Sequence, residues 1–575
     1  MLISRCIYSL SDTNNVPVNK LAGLLLLIAT VCATPAAGQG HDPLTGLPRL
    51  ERRGQAVQLI VDDQPFLVLG GELHNSSSSS IEYMKPIWPR LAAMHLNTVL
   101  LPVAWETIEP EEGKFDFKRV DGLLQGAREN HLKLIFLWFG AWKNTYSSYV
   151  PAWVKTNIER FPRVQTSDGR DTERLSPFST VVRDADARAF AQLMRHLREV
   201  DGIEHTVLLI QVENEVGVIP ESRDHSPAAN ASFAAPVPPS LTSYLGTHRN
   251  VLTPELRAAW EDAGAKVEGT WQEVFGKGPL TDDFFMAWQY ATYIEQIVRA
   301  GKAEYALPMY VNAALIRPNY EPGQYNSGGP LPHSMDIWHA GAPSLDFLSP
   351  DIYFNEFALW ANRYSRTDNP LFIPEAQGGS TGAANALYAF GRRSAIGFSP
   401  FGIDDQGDLP IDLAGITNST GHMDESVVGD LYAVLSKLTP MILKQQEAGS
   451  ITAALIEGEE QRSARAFIGD YIATITRAGG APGASSRVGV MFISTDANEF
   501  LVVSSGDAQV TFSTDSPGPP IVGIESIDEE LYEKGTWVPE RRLNGDESSH
   551  GQVLRLHSSD LAQGRIFRVR LYRYR

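Results

Sequence analysis

Between about residue 60 and residue 445, short runs of consecutive apolar residues alternate with stretches whose apolar positions recur every three to four residues. The runs read as strands buried on both faces, the pattern of parallel sheet, where helices cover both sides. Eight are present, at 66–72, 97–103, 132–139, 206–212, 308–314, 345–353, 371–375 and 395–401. Periodic stretches at 82–94, 185–200 and 282–300 read as helices between them. Eight alternating units are the number that closes a (β/α)8 TIM barrel. The segment 216–280, rich in Pro, Ala and Ser, is far longer than an ordinary strand-to-helix loop and reads as an insertion at the carboxyl end of strand four. After about residue 446 the period changes to two. Short alternating segments such as Tyr471-Ile472-Ala473-Thr474-Ile475-Thr476 are separated by Gly, Pro, Asp and Ser, which predicts a C-terminal all-β, sandwich-like domain over 446–575 behind a barrel over 41–445.

Two of the buried runs stop at glutamates. Strand four leads into Glu213-Asn214-Glu215-Val216-Gly217, and strand seven into Glu375-Ala376-Gln377-Gly378-Gly379. Functional groups of such barrels sit at the carboxyl ends of the strands, so Glu215 and Glu375 are expected at one mouth. Hydrolysis of a glycosidic bond needs such a pair, one carboxyl to protonate the leaving oxygen and one to attack or stabilise the anomeric carbon. The other strand ends add Glu72-Leu73-His74-Asn75, Trp105-Glu106, Trp138 with Trp142, Asn214, and Asp351 with Tyr353. Carboxylates, amides and tryptophans on one rim suit a sugar, whose hydroxyls take hydrogen bonds and whose C–H face packs on an aromatic ring. The expected sugar contacts are Glu72, His74, Trp105, Glu106, Trp138, Trp142, Asn214 and Tyr353. Each also has a plainer reading: Trp138 and Trp142 as core, His74 satisfying a loop carbonyl, Glu106 as structural. Glu213, the neighbouring carboxylate, is expected in a structural ion pair.

The 575 residues carry a net charge of −19, with acidic residues spread along the chain, which argues against a nucleic acid or an anionic membrane surface as partner. Arg5 and Lys20 precede an apolar stretch from Leu21 to Val31, followed by small residues to Gly38; residues 1–40 read as a signal peptide, too short in its apolar part to span a bilayer stably. Both cysteines, Cys6 and Cys32, lie in this segment. An exported chain without structural disulfides points to a periplasmic or secreted protein. The sequence shows no metal-ligand cluster, phosphate loop or dinucleotide fingerprint, so no cofactor is implied.

Three stretches carry a resemblance. Gly70-Gly71-Glu72-Leu73-His74, then Met94-His95-Leu96-Asn97-Thr98-Val99, then Trp105 through Glu109-Pro110, Gly113 and Phe115-Asp116-Phe117 resemble, in order and spacing, the start of glycoside hydrolase family 35 β-galactosidases. Gln211-Val212-Glu213-Asn214-Glu215-Val216-Gly217 resembles the segment of those enzymes whose second Glu is the acid/base. Phe139-Gly140-Ala141-Trp142 departs from the family's C-A-E-W, placing Ala141 where a sugar-binding Glu stands, and Glu375 precedes Ala376 instead of an aromatic residue. Arg174-Leu175-Ser176-Pro177-Phe178-Ser179 is closer to family 42 of the same clan. The resemblance implies an exo-acting, retaining β-galactosidase. Glu375, kept ionised by hydrogen bonds, would be the nucleophile, and Glu215, its pKa raised by the neighbouring charge and partial burial, the acid/base. Asn214 would hold the sugar 2-hydroxyl, and Ala141 would leave a weaker grip on the non-reducing sugar than the family norm unless Lys143, His74 or a residue of the insertion fills the gap. The alternatives are another retaining activity of the clan (arabinosidase, glucosidase or endo-glycanase) and a catalytically silent carbohydrate-binding protein.

Overall fold

The computed structural model describes residues 46–404, 425–478 and 487–575; the leader read at 1–40 lies outside them. Eight parallel strands close into a barrel in chain order: β1 (Val68–Glu72), β2 (Thr98–Ala104), β3 (Lys133–Lys143), β4 (Val207–Asn214), β5 (Met309–Ala314), β6 (Phe347–Ile352), β7 (Ile373–Ala376) and β8 (Gly397–Pro400). The seam closes where Gly397 pairs with Val68. Each expected run overlaps its strand, and β2, β3, β4 and β7 continue past the expected carboxyl end. The largest difference is β3, which continues to Lys143 with a register break against β4 between Trp138 and Lys143. The helix expected over 82–94 is two helices, Ile81–Met84 and Ile87–Ala93, interrupted at Pro86, which has no N–H to continue the ladder.

Alternation along β3 shows how the wall is built. Ile135, Leu137 and Phe139 point into the barrel, where they pack with Leu59 and Val61 of an N-terminal hairpin strand, Ala56–Val61. Leu134, Phe136 and Trp138 point outward into the core shared with the surrounding helices. Those helices include α1 (Lys118–Glu129), α2 (Thr180–Asp201), α3 (Pro279–Glu304), α4 (Gly379–Arg393) and α5 (Glu425–Ala448). The insertion after β4 holds short helices at Pro227–Ala234, Pro239–His248, Pro254–Asp262 and Trp271–Phe275; Trp271 packs edge-on to Phe285 of α3.

Beyond α5 the described residues form strands, apart from one short helix at Ser559–Ala562. A six-stranded antiparallel sheet runs from Ile451–Ile456 at one edge to Thr536–Arg542 at the other, and a four-stranded sheet of Ser463–Ile468, Tyr471–Arg477, Ala508–Ser513 and Val553–Leu556 lies over it. Val490, Phe492, Phe500 and Val502 face the second sheet, whereas Met491, Ile493, Leu501 and Val503 join the core of the barrel helices. Pro43–Arg575 is one compact unit.

Candidate active site

The turn after β4 is strained where the chemistry is expected. Glu213 and Glu215 both have left-handed backbones, with φ of 62° and 45°, a conformation that costs a non-glycine residue of order 1 kcal/mol or more and persists only where surroundings enforce it. They do so here. The Glu215 N–H donates to Asn312 Oδ1 of β5 at 2.9 Å, and Asn326 Nδ2 donates to the Glu215 carbonyl at 2.9 Å. Gly217 has φ of 149° and lies so close to Asn326 that a Cβ would come within 2.5 Å of its carbonyl carbon, so this position needs glycine.

The turn delivers Glu215 to a cluster. One carboxylate oxygen from each of Glu215, Asp351 and Glu375 lies within 4.8 Å of the others. Asp351 and Glu375 are cross-strand partners on β6 and β7, and Lys143 is the partner of Asn214 on β3 and β4. Glu72, at the end of β1, is fully buried, and among the described residues neither of its carboxylate oxygens is hydrogen-bonded. Asn312 Nδ2 donates to Asp351 Oδ2 at 2.7 Å, and the Tyr353 hydroxyl donates to Glu375 Oε1 at 2.6 Å. Asn214 is fully buried and both polar atoms of its amide lack a partner among the described residues, which leaves its hydrogen-bonding capacity to a ligand.

Crowding sets the protonation. Burial, and then the charge of Glu375, hold the Glu72 carboxyl well above the usual carboxylate range, and Asp351 is raised by the same two causes together with Glu215. Glu375 was expected to be kept ionised by hydrogen bonds. The single bond from Tyr353 and the charge of Lys143 do not offset its burial and the nearby Glu215, and its carboxyl is pushed up to about 7. Burial would push the Lys143 ammonium down, yet Glu375, Glu215, Glu72 and Asp351 together hold it above its usual value. Three convergent carboxylates are also the donor set of a hard divalent cation. The ammonium of Lys143 already supplies positive charge to this cluster, which fits acid–base chemistry better.

Several expected contacts lie elsewhere. Trp105 is buried behind β2, donating its indole N–H to Glu109 Oε2 at 2.9 Å. Trp138 donates to Asp186 Oδ1 at 2.9 Å, and Trp142 donates to the Leu175 carbonyl at 3.1 Å while packing on Tyr290 and Tyr293. All three indoles belong to the outer core and none is available to a sugar face: Trp138 and Trp142 point outward from β3, and Trp105 opens a short helix, Trp105–Ile108, behind β2. Glu106 forms an ion pair with Lys155 at 2.9 Å. His74 is paired with Asp404 at 3.0 Å and stacks edge-on to Phe401, tying the loop after β1 to that after β8. Glu213 is structural, but not through an ion pair: its two oxygens accept the amides of Ala141 and Trp142, and it shares a hydrogen bond with the buried Asp186. Ala141 lies in the outer core, so the β3 group that reaches the carboxyls is Lys143. Asn312 was missed altogether, since one amide inside an apolar strand makes no motif. Its only signal is its place near the carboxyl end of strand five.

A family model described as β-galactosidase, glycoside hydrolase family 42, matches residues 79–264, the stretch that carries β2 to β4 and the Glu215 turn. The chain is similar to β-galactosidases over that segment. A curated β-galactosidase of Xanthomonas manihotis is 29% identical over 206 residues, covering 34% of this chain and 30% of the relative, so the match spans about a third of that protein. Among solved structures, a β-galactosidase from Rahnella sp. R3 (19% identity, TM-score 0.43) aligns over 65% of this chain and 56% of its own. One from the psychrophilic Marinomonas ef1 (13% identity, TM-score 0.44) aligns over 68% and 62%. Residues 428–555 match a family described as a domain of unknown function, DUF5597.

Proposed function

We propose that the protein is an exo-acting, retaining glycoside hydrolase that releases terminal β-D-galactosyl residues. The observation that carries this reading is the approach of Glu215 and Glu375 to within 4.8 Å from the ends of β4 and β7. Retaining enzymes hold their carboxyls roughly 5 to 5.5 Å apart, whereas inverting enzymes leave ~6.5–9.5 Å for a water. The family 42 match, which contains Glu215 but not Glu375, supports the same chemistry; the motifs from Gly70 to Phe117 favour family 35 within the clan.

The two roles follow from position. Glu375 is buried and its Oε1 is oriented by Tyr353, as suits a nucleophile beneath the ring. Glu215 is half-buried at the mouth, where a leaving group departs. Glu375 attacks the anomeric carbon as Glu215 protonates the leaving oxygen. The proton then returns to Glu215 from the water that cleaves the glycosyl ester. Asn214 holds the 2-hydroxyl, a contact that strengthens in the transition state, and Glu72 accepts from or donates to a further hydroxyl. We read residues 1–40 as an export signal, which would place the enzyme in the periplasm or outside the cell.

Aryl β-galactoside, β-glucoside, β-fucoside and α-arabinoside differ by single hydroxyl or hydroxymethyl changes, so their kcat/KM values test the sugar directly. The β-galactoside should lead, with the β-anomer of galactose as the first product seen by proton NMR. A tenfold preference for the glucoside or arabinoside overturns the galactose assignment, and α-galactose as first product overturns retention.

A further inference from the structure

The barrel mouth is unbalanced in charge. Four strands bring carboxyls to it: Glu72 on β1, Glu215 after β4, Asp351 on β6 and Glu375 on β7. Among the described residues that influence them, one cation is present, Lys143 at the end of β3, 7% exposed. It arrives there through the break in the β3 ladder, which ends with Lys143 paired to Asn214 beside the catalytic turn. Its ammonium donates to Asn144 Oδ1 at 2.9 Å and lies 5.2 Å from the centroid of the Phe139 ring, on the inner wall. A charge-bearing side chain is rarely buried unless it is compensated, and the compensating groups here are the carboxyls. The other titratable groups around them are phenols: Tyr353 on the Glu375 carboxylate, Tyr310 of β5 below Glu72 and Asp351, and Tyr149, which lies under the influence of Lys143 and Glu106.

We infer that Lys143 is a positioning residue for the proposed reaction: its ammonium favours the ionised form of Glu375, in which that carboxylate can attack. This rests on the glycosidase reading above. Retaining hydrolysis needs one proton on the pair, on Glu215, while the nucleophile is bare. A buried carboxylate surrounded by three other carboxyls would otherwise take up a proton itself, and the bond from Tyr353 reaches only one of its oxygens. A cation buried among these carboxyls opposes that preference. The counter-charge is therefore placed on the same strand as Ala141, which itself contributes nothing to the pocket.

The test compares Lys143→Met, which keeps the stem and removes the charge, with Lys143→Arg, which keeps the charge. In the wild type, kcat/KM on an aryl β-galactoside should fall on the acid side with the ionisation of Glu375. In Lys143→Met that limb should move upward by about one to three pH units, the range over which a close opposite charge acts on a carboxyl. Lys143→Arg should bring it back toward the wild-type position. A higher KM with an unmoved limb would mean that Lys143 only grips the sugar, and would overturn the inference. A second readout does not need turnover: the carboxyl titration of Glu375 in glutamate-labelled protein, assigned with Glu375→Gln and followed by carbon-13 NMR. An upward shift in Lys143→Met supports the inference even if the wild type proves inert on every glycoside, an outcome that would defeat only the glycosidase reading. Coincident titrations in wild type and Lys143→Met overturn it whatever the activity.

Discussion

Glu375 binds its proton more tightly in the folded chain than in the unfolded one, and this couples activity to stability. Its carboxyl titrates at about 7 when folded, against 4.5 for the free group. Between those values the folded state holds the extra proton, so the free energy of unfolding falls as pH rises through the window; the contribution is complete below 4.5 and lost above 7. The span corresponds to about 3 kcal/mol at most. Glu375→Gln stays neutral throughout and keeps an oxygen for Tyr353, so its Tm relative to wild type should be distinctly higher at pH 8 than at pH 5, while turnover is lost at both. An equal Tm difference at the two pH values would show that burial of this carboxylate carries no such cost. Glu215→Ala should behave differently: turnover of substrates with good leaving groups should return with azide, giving the β-glycosyl azide, because ester formation then needs no acid and azide replaces the activated water. Full activity of that variant on a poor leaving group would remove Glu215 from the acid/base role. At this scale the two glutamates proposed as the catalytic pair were legible as candidates because each ends a buried run. The tryptophans were misread because rim position was weighed without strand parity: Trp138 is one residue from the inward-facing Phe139. The motif from Trp105 to Gly113, which carried much of the family resemblance, is scaffold, with Glu109 joining the Trp105 indole to the Gly113 amide.

The elements were easier to read than the residues. A parallel barrel strand is covered on both faces, so it is written as an unbroken apolar run, and each of the eight runs overlaps its strand. The insertion was legible only as an interruption, although Pro227, Pro239 and Pro254 each stand at the first position of a helix, the place where a missing N–H costs nothing. What the sequence could not reveal is how the Glu215 turn is held. Asp283, fully buried on α3, accepts from the Gly328 amide, the Tyr325 hydroxyl at 2.6 Å and shares a 2.6 Å hydrogen bond with His333 Nε2. The loop it fixes carries Asn326, the donor to the Glu215 carbonyl, and Ser327, which pairs with Val218. Such a network joins groups 42 to 50 positions apart in the chain, beyond any local pattern. Asp283→Ala leaves three buried donors without an acceptor, at about 1–3 kcal/mol each before relaxation. The variant should show a lower Tm, and kcat should fall more than KM rises because the strained Glu215 turn loses its backing. A drop in Tm with unchanged kcat would confine Asp283 to stability.

At the scale of the whole molecule, the β region is part of the barrel's core. Gly391 of α4 is so close to Ala453 and Met491 that a Cβ would meet both at 2.9 Å, and a Cβ on Gly489 would lie 2.3 Å from the carbonyl oxygen of Ala384. Arg487 donates to Asn385 Oδ1 at 2.8 Å and to the Asn355 carbonyl at 2.7 Å across the same junction. Strands buried on both faces, with Met491 toward the helices and Phe492 toward the second sheet, cannot lose either neighbour without exposing a row of large apolar side chains. Unfolding by heat should therefore be one transition in which barrel and sheets melt together, with calorimetric and van't Hoff enthalpies in agreement. Gly489→Ala tests the coupling at one atom. The clash is with backbone, which cannot swing aside, so α4 and the six-stranded sheet must separate slightly, at about 1–3 kcal/mol as overpacking usually costs. If the junction is one core, the variant should lower the single Tm and reduce barrel activity at elevated temperature in parallel. Two resolved transitions, with the barrel's unmoved by Gly489→Ala, would make the β region an independent appendage that only shares a border with α4.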